Sequence, residues 1–216
     1  MFKSLATKLP AVLTAASLAV AFAASPAHAG LEIQLQSGGT TYTQSGSSPL
    51  VVSQSIGNFT TTADIGTSTL APTLDLSSVD ISSSAGGTLI ITLSADGFTS
   101  PVGAATWLSQ FSGNFLSGQA SVTLQTYVDV SNTLLGTGTL LSTLSDTATP
   151  FGLSATAQAT TNGLFALTEV LTIVTTGETH VSLDASIAAP EPASVALLSS
   201  SLIGLGIAAR RKRKAA

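Results

Sequence analysis

The chain has 216 residues and no cysteine, which excludes disulfides, thiol catalysis, Cys-ligated metal and the acylated Cys of a lipoprotein anchor. Its formal net charge of −4 conceals a segregation, because every Lys and Arg lies near one end: Lys3, Lys8, Arg210, Arg211, Lys212, Arg213 and Lys214. Residues 30–189 hold ten acids and no Lys or Arg, a net −10, so that stretch lacks the basic footprint that nucleic acid or anionic lipid demands.

At the N-terminus, Lys3 and Lys8 flank the start of an apolar run from Leu9 to Ala24. Ala27-His28-Ala29 then places small residues at both positions that a signal peptidase reads, so cleavage is expected between Ala29 and Gly30. Residues 1–29 are thus expected to be a cleavable signal helix, and His28 belongs to the processing site. The other reading of the segment is an uncleaved membrane helix.

Residues 30–189 form one domain by length, large enough to bury about two-thirds of its surface. Strict alternation marks strands. In Leu31-Glu32-Ile33-Gln34-Leu35-Gln36 every second residue is apolar, and Leu89, Ile91 and Leu93 repeat the pattern. Val122, Leu124, Val128 and Val130 share a face, as do Leu167, Leu171 and Ile173. After Thr176-Gly177 the pattern resumes at Val181, Leu183, Ala185 and Ile187, which predicts a terminal hairpin. Shorter segments at 50–54, 59–63, 73–81, 138–144 and 151–160 complete eight to ten strands. Ser, Gly and Asn turns separate them, and no amphipathic helix of useful length intervenes. The fold expected is all-β, an antiparallel β-sandwich. Trp107, Phe111 and Phe115 recur at spacings of four and suggest a short helix capping the sandwich with its rings in the core. A carbohydrate-stacking platform is the alternative use for those rings.

Little in this body points to catalysis. His180 is its one histidine and falls in a predicted strand; no G-x-S-x-G elbow accompanies it. One His without Cys is a poor zinc ligand set, and no phosphate-binding loop exists without Lys. No catalytic residue and no metal ligand is assigned. Paired carboxylates remain open for glycoside hydrolysis, either Asp75 with Asp80 or Glu169 with Asp184. Calcium needs only oxygen ligands, which Asp75, Asp80 and Asp96, or Asp129 with Asn132, could supply; none has a calcium-loop spacing, and no cofactor is required. Asn58-Phe59-Thr60 matches a glycosylation sequon.

The tail has its own grammar. Pro190-Glu191-Pro192 precedes 17 uncharged residues, 193–209, which as a helix reach ~26 Å, slightly short of a ~30 Å hydrocarbon core. Arg210, Arg211, Lys212, Arg213 and Lys214 follow at once and form a stop-transfer cluster that stays cytoplasmic, leaving the body outside. The prolines remove N–H groups and disfavour helix before them, so the motif stays extended above the membrane. A buried core helix with a solvated basic end is the competing view.

This ordered set, together with the signal peptide, resembles the PEP-CTERM sorting signal of Gram-negative bacteria, over residues 190–216 and no further. The resemblance implies recognition by an exosortase, a membrane-embedded protease or transpeptidase that cuts near Pro190-Glu191-Pro192. It also implies company with exopolysaccharide and biofilm material. The expectation is a non-enzymatic protein, transiently membrane-anchored and then held at the cell surface or in the extracellular matrix. A glycan-binding module, with or without calcium, is the second expectation and a secreted hydrolase the third.

Overall fold

A computed structural model describes residues 30–68 and 72–189. The expected signal helix with Ala27 and Ala29, the sorting motif Pro190, Glu191 and Pro192, the membrane helix, and the basic cluster from Arg210 to Lys214 all lie outside the described residues.

The described chain forms twelve strands. They are β1 (Leu31–Ser37), β2 (Thr40–Gly46), β3 (Leu50–Ile56), β4 (Phe59–Ser68), β5 (Thr73–Ser83), β6 (Gly87–Phe98), β7 (Gly103–Ser117), β8 (Ala120–Asp129), β9 (Thr139–Asp146), β10 (Phe151–Thr161), β11 (Phe165–Thr175) and β12 (Thr179–Ala188). One sheet runs β2-β1-β6-β11-β8-β9 and the other β10-β7-β12-β5-β4-β3, with every neighbour antiparallel. The all-β, two-sheet expectation therefore holds. The period-two residues of each strand meet between the sheets: Ile33, Ile91 and Leu171 from the first, Leu76, Ile81 and Leu183 from the second, all buried.

Three expectations are corrected. The strand count is twelve rather than eight to ten, because β7 reads as a short helix and β2 (TTYTQSG) has no apolar alternation to announce it. It is held by the Gly38-Gly39 turn, both residues at positive φ, and by seven register pairs with β1. Next, Trp107 to Phe115 is not a helix but the middle of β7, a fifteen-residue strand. A spacing of four is a multiple of two as well as close to 3.6, so those rings share a strand face equally well. Trp107 and Phe111 do reach the core, fully buried, and the Trp107 ring meets Phe165 of the opposite sheet edge-on at 5.6 Å.

The third correction concerns β11 and β12, which do not form a hairpin. β11 belongs to the first sheet, between β6 and β8, and β12 to the second, between β7 and β5. The Thr176-Gly177 connection carries the chain across the sandwich instead of back along one edge. Both strands alternate, and alternation alone does not say which sheet a strand joins.

Two bulges set up the polar geometry. Opposite β12, β5 gains a residue at Ser77-Ser78, with Ser78 at φ 52, and the inward set shifts from Leu74 and Leu76 to Val79 and Ile81. In β6 the register against β11 shifts at Asp96-Gly97, where Gly97 has φ 79 and its N–H donates to Asn132 Oδ1 at 2.7 Å.

Candidate functional site

The outer face of the second sheet carries a groove of about 390 Å³ where β10, β7, β12 and β5 run side by side. Asp75 (β5), Asp184 and Ser186 (β12), Gln110 and Ser112 (β7) and Ser154 (β10) line it. Asp184 is fixed by the β5 bulge, since its Oδ1 accepts the Ser78 N–H at 2.9 Å. Asp75 is half-buried, and burial, then the neighbouring Asp184 charge, raise its pKa above the ordinary 3.8. Two neighbouring carboxylates, one of them with its proton affinity raised, resemble an acid–base pair. No Lys or Arg exists in residues 30–189 to balance them. The groove is a bed of hydrogen-bond acceptors, hydroxyls and one amide, suited to a hydroxyl-rich ligand.

Beneath this face lies a third acid. Glu169 projects from β11 into the space between the sheets and is fully buried. Neither carboxyl oxygen completes a hydrogen bond. Desolvation, then the charge of Asp75, lift its pKa well above the ordinary 4.5, while the Ile187 amide of β12 acts in the opposite direction. Across the ladder from Glu169 stands Thr126 of β8, whose hydroxyl links Ser109 Oγ of β7 at 2.7 Å to Ser142 Oγ of β9 at 2.9 Å.

The sequence-nominated groups are scattered. Asp75 and Asp80 are separated by the β5 bulge, and Asp80 lies outside the groove. Glu169 and Asp184 are not hairpin partners: one is sealed inside and the other faces outward. Asp96 lies on the other sheet, near Gly30. Asp129 accepts the Ser131 N–H at 2.9 Å, while Asn132 turns to Gly97. Among the described residues, no three His, Asp or Glu side chains converge as a metal site requires. His180 is exposed, as expected of an outward strand residue, with Ser82 Oγ 2.9 Å from Nε2. Asn58 is exposed in the β3–β4 turn.

The aromatic platform is overturned for Trp107 and Phe111, which offer no open ring face. Phe115, half-buried, packs on Phe151 at 6.0 Å. The pairing that sequence reasoning missed is Asp75 with Asp184. They lie 109 positions apart, brought together only by β5–β12 pairing, and no local pattern signals it.

No protein-family model matches the chain, and no curated protein does either. Among solved structures, the chain is similar to the enzymatically active domain of bacteriophage CBA120 tailspike protein 4, with TM-score 0.32 and 8% identity. The match covers 62% of this chain and 20% of that one, so the chain spans about a fifth of the tailspike domain's length. At that distance the likeness carries no argument.

Proposed function

We propose that the protein is an exported, non-enzymatic β-sandwich, sorted through its C-terminal tail to the cell surface or extracellular matrix, where it serves as a structural or adhesive component beside exopolysaccharide. The observation that carries this reading is the charge segregation. All seven Lys and Arg sit in the terminal segments, next to apolar runs, with Pro190-Glu191-Pro192 ahead of the second run, while residues 30–189 carry only acids. In this reading a signal peptidase acts before Gly30, an exosortase-type enzyme acts near the motif, and the membrane helix is a temporary holdfast. Cells expressing the chain with and without Pro190-Glu191-Pro192 are to be fractionated and shaved with protease. The intact chain is expected to be protease-accessible, and its motif-less form to stay in the membrane fraction; accumulation of both in the cytoplasm overturns the reading.

A second reading, glycan binding, is favoured by the outer groove, where carboxylates, Gln110 and three serine hydroxyls face solvent together. A ligand that binds only the folded state raises its melting temperature. Exopolysaccharide fractions should raise the melt of the full chain and lose that effect with Gln110→Ala. Parallel melts with calcium and with chelator test metal assistance. An unchanged melt in the polysaccharide arm rejects this second reading.

A further inference from the structure

Asp96 meets both polar groups of the Gly30 backbone. Gly30 N lies 2.8 Å from Asp96 Oδ1 in a partly buried setting, and Asp96 N donates back to Gly30 O at 3.1 Å. The β6 bulge at Asp96-Gly97 holds the carboxylate there, beside the end of the β1–β6 ladder. A Cβ at Gly30 would stand 2.8 Å from Asp96 Oδ1, so that carboxylate would have to turn aside, and 3.6 Å from Leu134 Cδ1, an ordinary contact.

We infer that Asp96 is the receptor for the new N-terminus of the processed chain, so that removal of residues 1–29 locks the N-terminal edge of β1 onto β6. The inference rests on the cleavage site in the proposed function. Hydrolysis of the Ala29–Gly30 peptide bond adds one water: the Ala29 carbonyl carbon takes the oxygen and becomes a carboxylate. The Gly30 nitrogen becomes a primary amine, which is protonated near neutral pH because an α-amino group titrates at about 8.

The contact then changes from an amide–carboxylate hydrogen bond to an ammonium–carboxylate pair, and 2.8 Å already suits a charge-assisted bond. Among the described residues no Lys or Arg competes for that role. Residues 30–189 contain ten acids and no Lys or Arg, so the cut adds an ammonium to a body that has no Lys or Arg of its own. It does so within bonding distance of a carboxylate rather than at a random surface point. Partial burial shields the pair from salt better than an exposed ion pair.

The test uses residues 30–216 in detergent, carried behind a leader that a specific protease removes to expose Gly30. The melt is measured before and after cutting. Cutting is expected to raise it by roughly 2–6 °C, from the added strength of a charged hydrogen bond spread over a domain of this size. Acetylating the new amine should return the melt to its uncut value. Asp96→Asn keeps an acceptor oxygen but no charge, so it should melt near the uncut parent and gain nothing on cutting. An identical melt before and after cutting, or an equal gain in Asp96→Asn, overturns the inference. N-terminal sequencing of the exported protein separates this failure from the other: a mature start at a residue other than Gly30 rejects the cleavage site itself.

Discussion

Two polar groups face each other across one rung of the first sheet, and the core treats them differently. Thr126 is the middle of a hydroxyl chain that ties β7 of one sheet to β8 and β9 of the other, with all three oxygens paired. Glu169, its partner in the β11–β8 ladder, is equally buried and has neither oxygen satisfied. Hydroxyls can donate and accept in turn, so three of them close a chain with no charge to desolvate. A carboxylate has no donor of its own unless it keeps a proton, and among the described residues nothing nearby offers it a cation. The hydroxyl chain stitches the sheets together. The carboxyl weakens them, and does so in proportion to its ionisation.

The largest expected effect comes from breaking the hydroxyl chain at its centre. Thr126→Val leaves Ser109 and Ser142 buried without their shared partner and should destabilise by roughly 2–4 kcal/mol in a denaturant melt. Replacing all three hydroxyl residues, Ser109→Ala, Thr126→Val and Ser142→Ala, should recover much of that loss, because no orphan remains. If the triple variant costs the sum of its singles, the three act independently and the contrast fails.

Glu169→Leu should act in the opposite direction, stabilising by about 1–3 kcal/mol at neutral pH through removal of an unsatisfied group. Because the folded pKa of Glu169 is raised, the native state holds a proton that the unfolded state releases above its ordinary 4.5. Stability is thus greatest below that value and falls as pH rises through the folded pKa. Asp75, raised as well, contributes in the same sense, and the acids near the site are Asp75 on β5 and Asp184 on β12. Melts from about pH 4 to 9 should slope downward for the parent and much less for the Leu variant; equal slopes place the pH dependence elsewhere. The smallest effect belongs to the surface. Asp184→Ala removes the acceptor for Ser78 N–H and should cost about 1 kcal/mol, while lowering the proton affinity of Asp75.

What the sequence disclosed and what it withheld follow from range. Alternation over Leu31–Gln36, Leu89–Leu93 and Val181–Ile187 is local, and each of those strands formed where the pattern stood. The same alternation in β11 and β12 leaves open which sheet each joins, so a crossover reads as a hairpin. Ser77-Ser78 is ordinary in sequence, yet its bulge reverses the facing of all of β5 beyond it. Glu169 sits at an inward position in Leu167-Thr168-Glu169-Val170-Leu171, and an apolar stripe interrupted by an acid was the available signal for its burial. The Asp75–Asp184 groove had no such signal, because long-range pairing alone assembles it.

β11 joins β6 to β8 in one sheet, and β12 joins β7 to β5 in the other. A nascent chain ending before Phe165 therefore owns two half-sheets on each side and no complete layer. Its strands must wait for the final pair, which insert centrally rather than adding at an edge. Such late, distant pairing slows acquisition of the native state, and it keeps the polypeptide pliable until almost its whole length has been made.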